Sequence, residues 1–306
     1  MKIVTIDCDY LRPRFAASYL VHDQEQALFV DNNTAHSVPL LLEALKKEGM
    51  RPEQVKYLII THVHLDHAGG SSALMRACPN AILLGHPRAI PHMIDPSRLV
   101  ASARRVYGEA AFEKLYGTIE PIAAARTRIV EDGERLAFGK DHLRFIFTRG
   151  HANHHMCTVL EDERAIFTGD SFGLAYPDLQ KNGLYIFPST SPTDFDAKEA
   201  KKAIQAILTS GAKTAYPTHY GAVSDMAGAA KQLNSMIDFS DDLLAQSATI
   251  PPEQWPRFFE TQLRSRMGAD LALHGMTLTG DTAELLKLDI ELNAAGLAHI
   301  AAKRKP

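Results

Sequence analysis

The sequence THVHLDHAGG, residues 61–70, places three histidines and one aspartate within six residues. It directly follows residues 55–60, a run that is apolar except for Lys56 and that predicts a strand buried on both faces. Neutral imidazole nitrogens and carboxylate oxygens are common ligands of zinc. The alternative for such a stretch is a polar helix cap with solvated histidines, but four ligand-type residues rarely crowd together without a chemical reason. We therefore interpret residues 61–70 as part of a metal site.

The spacing within this stretch suits two metal ions. His62 and His64 are two residues apart, so at the end of a strand both can point toward the same ion. Asp66 and His67 fall on the next turn, where a helix is predicted to begin, and can reach a second ion nearby. The pair Gly69-Gly70 allows the backbone to approach other groups closely at this point.

Three later predicted strands each stop at a ligand-type side chain, and these side chains are His151, Asp170 and His219. Taken singly, each is more often a turn residue or a hydrogen-bonded polar group. Together with the first stretch they complete a set of seven candidate metal ligands. The set consists of His62, His64, Asp66, His67, His151, Asp170 and His219.

The order of the predicted elements indicates an α/β fold. Short β-rich runs and helices alternate up to Tyr220, in an order that predicts two mixed β-sheets covered on the outside by helices. Residues 96–116 are predicted to be helical. After Tyr220 only helical patterns follow, over residues 226–245, 255–267 and 282–302. We therefore predict a metal-binding domain over residues 1–222 and a helical C-terminal extension over residues 223–306.

Composition and charge favour a cytoplasmic enzyme that acts on a small molecule. The 306 residues carry a formal net charge of −3, which argues against nucleic acid as a partner. No segment approaches the ~20 apolar residues needed to span a membrane, and the first residues do not resemble a secretory signal. The cysteines Cys8, Cys78 and Cys157 are far apart and odd in number, which indicates a reducing compartment. A homodimer formed through the helical portion is a further hypothesis.

The ordered motifs HVHLDH, GH, GD and TH resemble those of the metallo-β-lactamase-fold superfamily, and the resemblance covers residues 1–220. It implies an αββα sandwich with the site along one edge of its two sheets. It also implies that one group of ligands holds the first metal, another holds the second, and Asp170 bridges the two. The first group is His62, His64 and His151, and the second is Asp66, His67 and His219.

The same resemblance implies the chemistry. Two divalent cations that share a water lower its pKa and supply hydroxide as a nucleophile, while they also polarise a substrate carbonyl. Asp66 is the expected catalytic residue, because it can orient the nucleophile or move a proton to the leaving group. The diiron members of the superfamily usually carry Glu where this chain has His64, which favours zinc. Iron and manganese remain the alternative metals.

Within the superfamily, the helical extension is similar to that of the hydroxyacylglutathione hydrolases, or glyoxalase II. Those enzymes usually show a GHTxGH motif, whereas residues 150–155 of this chain read GHANHH. No basic residue of the extension can be matched to a glutathione-binding position. The GHAxHHM form, residues 150–156, looks like a less characterised branch of the superfamily.

The sequence leaves the roles of five further residues open. Tyr176, Tyr185 or Tyr220 could stabilise an oxyanion near the metals, or each could be a half-buried packing residue. His154 and His155 could support the metal ligands through hydrogen bonds, or they could belong to the polar surface.

The leading functional hypothesis is hydrolysis of a small ester, thioester or lactone. Phosphodiester cleavage on the same fold is an alternative, although it would require a basic surface for nucleic acid. A diiron protein that binds oxygen or nitric oxide is another. A metal-free scaffold would show gaps in the ligand set, and the sequence has none.

Overall fold

Two mixed β-sheets pack face to face at the centre of the molecule. The computed structural model describes residues 1–190 and 194–304, so the last two residues of the predicted extension lie outside it. Within these residues the first sheet has six strands in chain order: β1 (Lys2–Asp7), β2 (Ala17–His22), β3 (Ala27–Val30), β4 (Val55–Ile59), β5 (Ile82–Gly85) and β6 (Thr127–Ile129). The second has five, in the spatial order β11 (Thr214–Pro217), β10 (Ala165–Gly169), β9 (Met156–Leu160), β8 (Asp141–Phe147) and β7 (Arg135–Phe138).

Both sheets combine antiparallel and parallel pairs, as the sequence predicted. Strands β1 to β3 are antiparallel neighbours, whereas β3 to β6 run parallel. In the second sheet β7 to β10 are antiparallel and β10 pairs with β11 in parallel. The carboxyl ends of parallel neighbours lie at the same edge of a sheet. The residues that follow β3 and β4 therefore lie close together, and so do the residues that follow β10 and β11.

Alternating side chains divide the interior into layers. On β2, Tyr19 and Val21 enter the core between the two sheets, where they meet Phe145 and Phe167 of the second sheet. Leu20 points to the opposite face and joins the core beneath the helices. Because successive side chains of a strand point to opposite faces, a strand with helices on one side and a sheet on the other is apolar throughout.

Helices cover the outer faces and complete the predicted αββα sandwich with its C-terminal helical extension. Their bounds are α1 (Val38–Lys47), α2 (Leu65–Ala68), α3 (Ser71–Ala77), α4 (Ile90–Ile94), α5 (Ser97–Tyr107), α6 (Glu109–Tyr116), α7 (Ala197–Leu208), α8 (Met226–Ser247), α9 (Trp255–Leu273) and α10 (Gly280–Arg304). None of the helices described here has the length and apolar character that crossing a bilayer requires.

The C-terminal helices α8, α9 and α10 form where helical periodicity predicted them. Leu233, Phe259 and Leu297, one from each helix, belong to the same hydrophobic core as Leu41 of α1. The C-terminal helices therefore share a continuous apolar interior with the rest of the chain. The division after residue 222 stays a prediction.

Two local expectations need correction. The helical pattern over residues 96–116 is divided into α5 and α6 at Gly108, whose φ of +80° lies in the left-handed region that glycine adopts without steric cost. Strand β1 was not predicted. It is an edge strand with only Ile6 fully buried, so its sequence lacks a strong apolar alternation.

Buried polar side chains of α10 fasten the segment that follows β10. Asn293 accepts the backbone N–H of Thr190 at 2.6 Å and donates to the carbonyl of Pro188 at 3.3 Å. One helical turn earlier, Asp289 accepts the hydroxyl of Tyr176 at 2.9 Å. Helix α10 thus holds this segment at two points, at Tyr176 and at the stretch from Pro188 to Thr190.

We predict that Asn293→Ala lowers the free energy of unfolding by about 1–3 kcal/mol, because it leaves a buried N–H and a buried carbonyl without partners. Urea denaturation followed by circular dichroism measures this difference. The matched control is Glu291→Ala, an exposed residue of the same helix, which should change stability by less than about 0.5 kcal/mol. Equal stability of the two variants would contradict the anchoring role of Asn293.

Candidate metal centre

The seven predicted ligands converge at one edge of the two sheets. His62 lies three residues beyond β4, Asp170 directly follows β10, and His219 lies two residues beyond β11. His151 lies in the connection between β8 and β9. Residues that are as much as 157 positions apart in sequence (219 − 62) therefore meet because their strands end at the same edge.

The first cluster consists of His62, His64 and His151. Nε2 of His62 is 2.8 Å from Nδ1 of His64, and Nε2 of His151 is 3.2 Å from the same Nδ1 atom. Ligand atoms of the three rings all lie within 4.8 Å of one another. Nitrogens that share a tetrahedral zinc ion are about 3.3 Å apart, since each lies about 2.0–2.1 Å from the metal. The spacing of the cluster therefore suits one metal ion.

The second cluster consists of Asp66, His67 and His219. Oδ2 of Asp66 is 3.4 Å from Nε2 of His219 and 3.8 Å from Nε2 of His67. These atoms also fall within 4.8 Å of one another, so the cluster offers a second position for a cation.

Asp170 lies between the two clusters. Its Oδ1 atom is 3.3 Å from Nε2 of His67 and 3.8 Å from Nε2 of His219. Its Oδ2 atom is 3.4 Å from Nε2 of His151. The two oxygens of a single carboxylate thus face different clusters, which is the arrangement that a bridging ligand requires.

Unpaired polar atoms test whether these residues fit cations. Nε2 of His67 and Oδ1 of Asp170 are buried and have no hydrogen-bond partner within the described residues, although they face the same point. Buried polar atoms without partners are rare, because each loses its hydration without compensation. A cation between these atoms would satisfy both, so the donor set fits a pair of metal ions.

In three of the histidine rings, a hydrogen bond at Nδ1 orients the ring so that Nε2 points into the site. Nδ1 of His67 is 2.8 Å from Oδ2 of Asp31, Nδ1 of His219 is 2.9 Å from the carbonyl of Phe15, and Nδ1 of His62 is 3.1 Å from Oγ1 of Thr61. We assign the proton of each ring to Nδ1 in this network. Each Nε2 atom is thereby directed into the site, where a cation can bind it in place of a proton.

Asp31 is a functional residue that the sequence analysis missed. Its carboxylate, which is buried, also accepts the backbone N–H of Thr61 at 2.8 Å and the hydroxyl of Thr218 at 2.6 Å. Asp31 directly follows β3, so the criterion that identified Asp170 applies to it as well. The turn-forming residues after it obscured this signal.

The structure separates the adjacent residues His154 and His155. His155 is fully buried, and its Nε2 accepts the backbone N–H of Asp170 at 3.3 Å. Its Nδ1 lies 2.8 Å from Oγ1 of Thr148, so His155 supports the loop that carries Asp170. His154 is half-buried, and its ring centroid is 5.8 Å from that of His64, which places it at the rim of the first cluster.

The tyrosines also differ. Tyr176 is buried beside His219, with ring centroids 6.5 Å apart, but its hydroxyl is hydrogen-bonded to Asp289. Tyr185 packs between Phe187 and His274 in the wall of a separate cavity. Tyr220 is half-buried against the core between the sheets. In this structure none of the three presents its hydroxyl to the clusters.

Two glycines permit the close packing of this edge. A Cβ atom at Gly70 would lie 2.6 Å from the carbonyl oxygen of Asn32. A Cβ atom at Gly169 would lie 2.5 Å from Nε2 of His155, and the φ of +49° there is unfavourable for other residues. Larger residues at either position would displace the backbone that carries the ligands.

Electrostatics keep several donors in the form that binds metals. Burial lowers the pKa of His151 to about 4 and holds the pKa of His62 well below its usual value, so both rings are neutral at pH 7. Burial by itself raises the pKa of Asp170, but the charge of His67 outweighs it and keeps this carboxyl ionised. Burial lowers the pKa of His67, but the carboxylate of Asp170 outweighs it and raises that pKa, so a cation that binds His67 would displace a proton from the ring. Neutral imidazole and ionised carboxylate are the forms that ligate a cation.

Comparison with known proteins places these residues in a family. The model of the metallo-beta-lactamase superfamily matches residues 11–219. A metallo-beta-lactamase fold-containing protein of Sulfurisphaera tokodaii is 23% identical over 288 residues, which cover 93% of this chain and 91% of that protein. An atrochrysone carboxyl ACP thioesterase of Aspergillus fumigatus is 26% identical over 178 residues, which cover 56% of this chain and 41% of the thioesterase. The chain thus aligns with less than half of that thioesterase.

Among solved structures, the crystal structure of a metallo-beta-lactamase family protein from Thermus thermophilus matches with a TM-score of 0.67. The sequences are 22% identical, and the match covers 99% of this chain and 93% of the other, so the likeness shows the fold. The family match spans more than half of the chain and includes all seven predicted ligands. Its extent, together with the αββα sandwich, shows that this chain belongs to the metallo-beta-lactamase superfamily.

Proposed function

We propose that the protein is a dinuclear metal-dependent hydrolase of a small ester, thioester or lactone. His62, His64 and His151 would hold one cation, and Asp66, His67 and His219 would hold the other. The observation that carries the proposal is the position of Asp170, because its two carboxylate oxygens face the two clusters separately.

The donor set favours zinc. Five imidazoles and two carboxylates suit zinc, and they also accept iron or manganese. None of the donor groups identified in the described part of the chain includes a cysteine. When bound, two divalent cations would lower the pKa of a water that they share and polarise the carbonyl oxygen of the substrate.

The residues of the chain divide the remaining tasks. The side chains of His67, Asp170 and His219 are at most 7% exposed, so they hold the centre away from bulk water. The Asp66 side chain is 27% exposed and therefore reaches the mouth of the site. Asp66 would orient the nucleophile or carry a proton to the leaving group, as general acid–base catalysis requires.

The thioesterase among the relatives supports a thioester or ester as the substrate class. The net charge of −3 supports a small molecule over a polyanion such as nucleic acid. We therefore place acyl transfer to water ahead of phosphodiester cleavage.

A panel of thioesters, esters, lactones and phosphodiesters, assayed on zinc-, iron- and manganese-loaded protein, tests the function. We predict turnover of acyl substrates, and a fall in kcat/KM of at least about a hundred-fold in His64→Ala and Asp170→Ala, because each loses metal coordination. Metal analysis should find two ions per chain in the wild type and fewer in both variants. The matched control is His299→Ala, a histidine of α10 that is not among the seven candidate ligands and that should retain both ions and full activity.

Equal turnover by the wild type and the two ligand variants would show that these residues do not support catalysis. A preference for phosphodiesters would favour the phosphodiesterase hypothesis instead. A coloured iron form that binds oxygen or nitric oxide and hydrolyses none of the acyl substrates would also overturn the proposal.

Asp31 provides a test that does not depend on the substrate. We predict that Asp31→Asn weakens binding of one of the two cations by about 10–100-fold, because it removes the negative charge that orients His67. Competition with a chromophoric chelator measures both affinities. Asp242→Asn, an exposed aspartate of α8, serves as the charge-matched control. Unchanged affinities in Asp31→Asn would refute this role.

A further inference from the structure

The loop between β1 and β2 places an arginine beside the proposed metal centre. The guanidinium carbon of Arg12 lies 4.9 Å from the ring centroid of Phe15 and 4.6 Å from that of Tyr176. These two rings stack on each other with centroids 5.4 Å apart, and Phe15 meets the ring of His219 edge-on at 5.2 Å. Contact with two aromatic faces fixes the guanidinium one ring away from a proposed ligand.

The hydrogen-bonding capacity of Arg12 is largely unused. Its Nη2 atom is buried and has no hydrogen-bond partner in the described part of the chain. Its Nη1 atom is 3.5 Å from the carbonyl oxygen of Pro13, which is long for a hydrogen bond. No ion pair involves Arg12 among residues 1–190 and 194–304, whereas Arg14 on the same loop pairs with Asp178 at 2.6 Å.

A buried guanidinium N–H without an acceptor destabilises the folded state, and a ligand that supplies an acceptor would offset this cost. The carboxylate of Asp289 forms no ion pair with Arg12 among the described residues: its Oδ1 accepts the hydroxyl of Tyr176, and its Oδ2 has no hydrogen-bond partner there. Asp289 therefore fixes one of the rings beneath Arg12 and does not form an ion pair with the guanidinium. The unpartnered Nη2 donor of Arg12 thus lies one aromatic ring away from His219.

We propose that Arg12 binds a carboxylate on the substrate and that Phe15 and Tyr176 form the aromatic support that holds its guanidinium in place. The proposal rests on the proposed function, since it concerns recognition at the same site. The planar fork of a guanidinium matches a carboxylate, with two parallel hydrogen bonds. A single guanidinium suits a singly charged group, because Arg14 is already paired and supplies no second free cation.

The test compares two substrates that differ in one charge: an aryl thioester of succinate with a free carboxylate, and the same thioester with a carboxamide in its place. In Arg12→Gln we expect KM for the carboxylate substrate to rise about 10–100-fold, the effect of losing charged hydrogen bonds. Both kcat and the metal content should stay unchanged, and KM for the carboxamide should change less than about two-fold.

Further variants separate this role from loss of folding or of loop charge. Arg12→Lys keeps the charge but loses the planar fork, so it should raise KM for the carboxylate substrate by an intermediate factor. Arg14→Gln removes one positive charge from the same loop and should leave the discrimination between the two substrates intact. An equal rise in KM for both substrates in Arg12→Gln or Arg12→Lys would overturn the proposal, as would the same loss of discrimination in Arg14→Gln.

A binding measurement keeps this proposal distinct from the proposed reaction. Calorimetric titration of zinc-loaded protein with glutarate, a dicarboxylate, should give an affinity about ten-fold or more higher for the wild type than for Arg12→Gln. If none of the acyl substrates of the panel is turned over, the hydrolase proposal fails, and the titration still decides whether Arg12 binds a carboxylate. Equal glutarate affinities would refute the role of Arg12.

Discussion

The structure depends on gathering five imidazoles and two carboxylates into one buried volume. Nε2 of His67 and Oδ1 of Asp170 lie 3.3 Å apart there, and neither has a hydrogen-bond partner in the described chain. Polar atoms that lose their hydration without compensation destabilise a fold unless a ligand pairs with them. A pair of cations would account for this arrangement, because the two carboxylate oxygens of Asp170 face different clusters.

The sandwich provides a rigid frame for this volume by joining its two sheets at the same edge. Asp31 follows β3 of the first sheet, and it accepts a hydrogen bond from Thr218, which follows β11 of the second sheet. The same carboxylate orients His67, so a single buried charge both links the sheets and positions a ligand. Gly169 is needed next to it, since any side chain would collide with His155.

Elements outside the ligand motifs determine which side chains surround the proposed metal centre. Helix α10 reaches back across the chain, and Asp289 fixes Tyr176 at a sequence separation of 113 residues. Tyr176 in turn stacks with Phe15, whose carbonyl orients His219 and whose ring supports Arg12. The C-terminal helix and the first loop thereby shape the surroundings of His219.

The sequence by itself determined the layered fold and singled out the seven candidate ligands that the structure brings together, because both leave local patterns: ligand-type residues at strand ends, and apolar periodicity that marks buried faces. The tertiary structure decided what depends on contacts between distant segments. Asp31 resembled a turn residue until its bonds to His67 and Thr218 were visible. His154 and His155 could not be told apart, since the direction of each side chain depends on how the sheets pack. Tyr176 looked like a candidate oxyanion donor, but Asp289 of a remote helix accepts its hydroxyl. Local sequence records which face an element buries, whereas the partner of a buried polar group is set by packing between elements.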